Sequence, residues 1–229
     1  METHTQTDGQ LADGSENRAA GSPLFPEKLR PIAIGVACLV LGIALGWMIS
    51  IRLSSGPHVP PEPDIEHLCA VDASVEVRPW THIVLHHSAG SVGDAAAFDK
   101  LHRERGSWRG LGYDFVIGNG TLSGDGEIEV GDRWRSQEDG AHCKKDGMNR
   151  KAIGICFVGN FETSRGLSAS QLLSGAELIQ HLAARFAIPP ENILGHGKVK
   201  GAETLCPGKH FPMDFFRTAV GSPSAASGG

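Results

Sequence analysis

AIGICFV, residues 152–158, is the stretch on which the fold turns. Its apolar side chains run almost without a break, so it offers no polar face to solvent and suits a central strand buried on both sides. Upstream, residues 81–86 (THIVLH) form a β-branched apolar run of strand length that delivers His86, His87 and Ser88 at its exit. Residues 113–117 (YDFVI) and 127–130 (EIEV) are two more strand candidates, joined by a loop rich in Gly, Asn and Asp. Between the first two strands, residues 93–105 read as a helix with Phe98 and Leu101 on its apolar face, stopped by Gly106. Downstream, Ser168 and Gln171 spell a capping box. The helix it opens carries Leu172, Leu173, Ala176, Ile179, Leu182 and Phe186 at helical spacing, and Pro189-Pro190 ends it. Strands interleaved with helices, and no internal repeat, predict an α/β domain with a single central mixed β-sheet flanked by helices.

The domain does not fill the chain. Residues 1–30 are polar and poor in apolar side chains, the composition of a disordered segment. Residues 31–51 (PIAIGVACLVLGIALGWMISI) contain no charge. As a helix they would span roughly 31 Å, the thickness of a hydrocarbon core. The run is too long and starts too late for a cleaved signal, and Trp47-Met48-Ile49 stands where small residues would be needed. A single transmembrane helix preceding the domain is the expectation. Lys28 and Arg30 before the run outweigh Arg52 after it, which favours a cytoplasmic N-terminus and an extracytoplasmic domain. Gly42 and Gly46 form a G-x-x-x-G spacing, a candidate contact for a weak homodimer. Residues 52–65 read as a proline-rich linker, 66–219 as the folded domain and 220–229 as a flexible tail. A net charge of −5 argues against a nucleic-acid partner, and five cysteines are too few for a disulfide scaffold.

Eleven histidines are many for 229 residues. His86 and His87 leave the end of a strand, and His196 and Cys206 follow the long helix. Imidazole nitrogen and thiolate sulfur suit zinc, and three protein ligands with one open position is the catalytic arrangement. A fourth ligand from His87 or His210 would instead make the site structural. Cys156 sits in the central apolar run as a small core residue. Cys69 and Cys143 remain for a disulfide outside the cytoplasm, with their proximity left open by sequence. Asp114 follows Tyr113, and strand alternation sends it to the opposite face as a surface residue.

The segments IVLHHSAG (83–90), GLGYDFVIG (110–118), GAH (140–142), GICFVGNF (154–161), ILGH (193–196) and TLCPG (204–208) together resemble the type-2 N-acetylmuramoyl-L-alanine amidases. That family includes the phage-lysozyme-like zinc amidases and the peptidoglycan recognition proteins, and the resemblance runs in order over about residues 80–215. It implies Zn²⁺ as cofactor, with His86, His196 and Cys206 as ligands. It implies Tyr113 and Thr204 as catalytic residues that stabilise the reacting carbonyl or orient water. His87, His142 and Asn149 fall at positions near the cleft and are the candidate substrate contacts, a structural role being the alternative for each. The implied reaction is hydrolysis of the amide between N-acetylmuramic acid and L-alanine in peptidoglycan or muropeptides, and the alternative is a non-catalytic receptor of the same fold. One departure stands out. In many relatives the cysteine lies eight positions after the second histidine, whereas here it lies ten, so the stretch before Thr204 carries two extra residues.

Overall fold

The computed structural model describes residues 64–105 and 109–221. The apolar run 31–51, the segment before it, nearly all of the linker and the tail beyond 221 lie outside the described residues. Among the described residues no helix is long and apolar enough to cross a membrane.

Five strands form one mixed sheet: β1 (His82–His87), β2 (Phe115–Ile117), β3 (Ile128–Val130), β4 (Ala152–Phe157) and β5 (Ile193–Gly195), in the order β3-β2-β4-β1-β5. Strand β4 pairs in parallel with both β1 and β2, β5 pairs in parallel with β1, and only β3 runs antiparallel, against β2. All six residues of β4 are buried, as its continuous apolar sequence requires. The helices are α1 (Ile65–Leu68), α2 (Ala95–Glu104), α3 (Asp132–Arg135), α4 (Met148–Lys151), α5 (Ala169–Phe186) and α6 (Met213–Gly221). Two boundaries differ from the sequence expectation. Asp64 caps α1 by accepting from the His67 N–H, so folded chain begins inside the expected linker, and α6 continues through residue 221, into the expected tail.

The sheet's two faces differ, and that difference positions the site. One face presents Ile83, Leu85, Ile153, Ile155 and Phe157 to Leu178, Ile179 and Leu182 of α5, forming the main core. The other face presents Val84 and Ala152 to Cys143, Met148 and Val199, and Val116 and Cys156 to Leu111 and Val158. Period-two alternation along β1 puts His86 on this second face with Val84, away from the long helix. Helix α5 begins at the predicted capping box, with Ser168 Oγ accepting from the Gln171 N–H and the Gln171 side chain accepting from the Ser168 N–H. Gln171 is itself buried and donates to the carbonyl of Val158, satisfying backbone beyond the end of β4.

Two leucines expected inside are outside. Leu173 is 70% exposed because the inward stripe of α5 runs through Gln171, Gly175, Leu178, Ile179 and Leu182, nearly opposite it on the helix. Leu101 is 39% exposed, and its neighbour His102 takes the inward place on α2. Cys69 and Cys143, the candidate pair left open by sequence, are both free thiols, each buried in a different core cluster.

Candidate metal centre

His86 is the penultimate residue of β1 and His196 directly follows β5, so two adjacent parallel strands deliver both imidazoles at their carboxyl ends. Their ring centroids are 4.7 Å apart. Cys206 arrives on a loop that returns to β1: its carbonyl accepts from the Gly197 N–H at 2.7 Å. Its sulfur lies 3.7 Å from His86 Nδ1 and accepts from the His87 N–H at 3.4 Å. One donor atom from each of His86, His196 and Cys206 lies within 4.8 Å of the others. A tetrahedral zinc ion with ordinary Zn–N and Zn–S bonds would hold two nitrogens and one sulfur about 3.3–3.6 Å apart. The donor set therefore fits zinc, with the His86–Cys206 distance of 3.7 Å close to that range and the other distances, within 4.8 Å, needing closure of at most about 1.5 Å. Among the described residues neither His87 nor His210 joins this group, so the fourth position is left open.

The electrostatics follow from burial. His86 is 1% exposed, and burial together with the neighbouring His142 and His196 holds its pKa well below the usual imidazole value. Burial lowers His196 in the same sense. Both rings are therefore neutral, the form that binds metal. Burial pushes the Cys206 thiol up to about 12, only partly offset by the His87 N–H. Metal binding there must displace that proton.

The longer stretch before Thr204 bulges outward and leaves Thr204 on the cavity. The Ala202 N–H donates to the Val199 carbonyl, Val199 is buried, and Lys200 and Gly201 form an exposed turn with Gly201 at φ +80. Thr204 is exposed and its Oγ1 accepts from the Cys206 N–H at 3.2 Å. Together with Asn149, His196, Ala202 and Glu203 it lines a cavity of about 470 Å³ beside the metal-ligating group. A larger cavity of about 630 Å³ lies around Ala187 and Pro190, remote from those ligands. Tyr113 stacks obliquely against His86 at 5.3 Å between ring centroids. Burial, with the Cys156 and Cys206 thiols beside it, pushes its pKa well above the usual phenol value, so the phenol keeps its proton.

The three candidate substrate contacts occupy different surroundings. The imidazole of His142 is completely enclosed and meets His86, with 3.0 Å between His142 Nδ1 and His86 Nε2. The residue borders the cavity, with its ring turned inward to His86. Asn149 borders the cavity, but its Oδ1 is engaged by the N–H groups of His142 and Cys143 at 3.0 and 2.7 Å. His87 points to the α5 side of the sheet, where its Nδ1 accepts from the Phe161 N–H at 3.1 Å. Asp114, expected at the surface, is fully buried. It precedes the three-residue strand β2 and so escapes the alternation argument. Its backbone N–H donates to the Gly154 carbonyl, while its Oδ2 accepts from the Gly154 N–H at 2.7 Å.

The family model described as N-acetylmuramoyl-L-alanine amidase matches residues 76–209. The chain belongs to that family. A peptidoglycan-recognition protein of Drosophila melanogaster is 39% identical over 188 residues, covering 76% of this chain and 90% of that protein. Peptidoglycan-recognition protein SC2 from the same fly is 34% identical over 137 residues, covering 56% and 68%. Among solved structures, the N-acetylmuramoyl-L-alanine amidase LysC from Clostridium intestinale aligns with a TM-score of 0.54 at 26% identity, covering 67% of this chain and 98% of LysC. The mixed sheet flanked by helices is thus the fold of the type-2 amidase and peptidoglycan recognition family, and the family match supports a role in peptidoglycan chemistry.

Asp114 and Cys156 are the parts of the site that sequence reasoning misplaced or passed over. Cys156 is a buried core residue as expected, and it also packs in the same cluster as Tyr113, beside the phenol. Its place opposite His86 in the β1–β4 register, which sequence does not fix, brings it there.

Proposed function

We propose that this domain is a zinc-dependent hydrolase of the amide between N-acetylmuramic acid and L-alanine, acting on peptidoglycan or its muropeptides. The observation that carries the reading is the open three-donor group of His86, His196 and Cys206 beside the cavity bordered by Thr204. The names of the relatives, recognition proteins for peptidoglycan and an amidase for this bond, support the substrate class.

His86, His196 and Cys206 would hold zinc, which when bound would supply an acidified water and a Lewis acid for the carbonyl. His86 and His196 hold neutral nitrogen donors at fixed positions on the strand ends, and Cys206 adds a thiolate that offsets one unit of metal charge. Tyr113, held protonated by burial, donates a hydrogen bond to the negative charge that develops on the substrate oxygen. Thr204 uses its oxygen lone pair on the Cys206 N–H, which leaves its O–H free to donate into the cavity. The uncharged run at 31–51, with the charge bias at its flanks, supports a membrane tether holding the domain on the extracytoplasmic side, where the polymer lies.

The test is incubation of the purified full-length chain with peptidoglycan, followed by mass spectrometry of newly exposed alanine amino groups. Stem peptides with free N-terminal L-alanine are expected, lost on zinc chelation, restored by zinc and absent for Cys206→Ala. Zinc-loaded, folded protein that binds peptidoglycan without releasing such peptides would replace the enzyme with a receptor.

A further inference from the structure

We propose that His142 is a positioning residue for the metal ligand His86, fixing it as the Nε2–H tautomer and so leaving its Nδ1 lone pair for the metal. The inference rests on the metal-site reading above and assigns it a ligand atom and a supporting side chain.

His142 Nε2 lies 3.2 Å from the carbonyl oxygen of Ala152, which can only accept. A neutral His142 must therefore carry its proton on Nε2, and its Nδ1 is an acceptor. That Nδ1 stands 3.0 Å from His86 Nε2, which must then be the donor. A neutral His86 protonated at Nε2 has its lone pair on Nδ1, the atom 3.7 Å from Cys206 Sγ. One backbone carbonyl in β4 thus decides which nitrogen of a ligand on β1 faces the metal. Hydrogen bonding at the second ring nitrogen is the general means of fixing a metal-bound histidine.

The seat for His142 is built into the fold. A Cβ on Gly140 would stand 2.5 Å from His142 Cδ2, and one on Gly154 would press on the same ring. Gly154 sits in the middle of β4, where a glycine forgoes side-chain packing and marks a close approach. Asn149 Oδ1 holds the His142 backbone N–H, so the ring is anchored at both ends. The imidazole has no exposed surface, so no water competes for either nitrogen. Beyond Nε2, the carboxyl group of Asp114 lies 4.0 Å away, its Oδ2 accepting from the Gly154 N–H. These contacts serve orientation of His86.

The test has two arms. In the metal-free full-length chain with 15N-labelled histidine, two-bond proton–nitrogen correlations at neutral pH read each ring's tautomer. The expected result is Nε2–H for both His142 and His86; a His86 protonated at Nδ1 overturns the proposal. The second arm measures zinc affinity by competition with a chromophoric chelator for His142→Asn and His142→Leu, nearly isosteric changes. Asn places an oxygen acceptor near the Nδ1 position and is expected to stay within a few-fold of the parent, while Leu is expected to lose about 10- to 100-fold. Equal losses in both, or none in either, would overturn it. If either variant fails to fold, the tautomer arm on the unmodified chain still decides. Failure of the unmodified chain to bind zinc would instead remove the metal-site reading, a result the metal-free arm does not touch.

Discussion

Replacing Asp114 by Asn should stabilise the metal-free protein, and the gain should grow with pH. Asp114 is fully buried, its Oδ1 has no partner, and burial raises its pKa from 3.8 to about 7 despite the Gly154 N–H and the charges of Arg133 and Arg78. The facing His142 is held neutral, with a pKa lowered to about 4, and supplies no countercharge. A carboxyl whose folded pKa exceeds its unfolded value binds more protons folded than unfolded between the two values. Stability contributed by this group is therefore intact below pH 4 and is lost as pH rises toward 7. The span is roughly three pH units, worth about 4 kcal/mol in order of magnitude. Asn keeps an acceptor for the Gly154 N–H and never ionises, so the difference between the two proteins isolates this one group. Urea unfolding followed by the buried Trp80 and Trp134 should show a gain of about 1 kcal/mol at pH 4.5, rising to about 4 kcal/mol at pH 8. A gain independent of pH, or a loss that deepens at pH 8, would refute the argument, because it would mean that Asp114 is ionised and paired in the folded state.

Other expectations are independent of that one. Tyr113→Phe should lower kcat/KM for peptidoglycan hydrolysis by about 10²- to 10³-fold with zinc content unchanged, as read by turnover and metal analysis of the same preparation. Phe157 is fully buried against Phe211, Phe216 and the long helix, and Phe157→Ala should cost about 3–5 kcal/mol in urea unfolding. Ser168→Ala removes the hydroxyl of the capping box and should cost about 0.5–2 kcal/mol by the same measurement. Adding zinc to the chelated protein at about 100-fold over its Kd should raise stability by about 2.7 kcal/mol, with no gain for Cys206→Ala.

The parts of the fold that were legible in the sequence are those set by local pattern. The run 152–158 announced a strand buried on both faces, and Ser168 with Gln171 marked the start of α5 to the residue. That His86, His196 and Cys206 come together was legible because chemistry-bearing residues fall at strand exits inside family motifs. What escaped was decided by tertiary contact. Asp114 lies just outside a strand too short to impose alternation, and its side chain follows Gly154 on a neighbouring strand. His142 resembles a loop residue at a cleft until Gly140 and Gly154 are seen to vacate the volume its ring fills. Leu173 belongs to an apolar sequence pattern, but the packed stripe on α5 passes it by. The longer interval between His196 and Cys206 left the place of Thr204 open, because spacing alone does not reveal that Lys200 and Gly201 turn outward.

The placement of the ligands has a consequence for how the chain is tied together. His86 and Cys206 are separated by 120 positions. Closing a loop of that length freely would cost about 4 kcal/mol of chain entropy. Strand β5, only three residues long, is an outer strand paired solely with β1, and it leads directly into His196 and the cysteine loop. With zinc bound as proposed, an ion shared by these residues would act as a clasp between the sheet's centre and its C-terminal border, and fraying of that border would accompany escape of the ion. Amide exchange in residues 193–206 should slow as metal is loaded, while β4, enclosed on both sides by its neighbours, keeps its protection regardless.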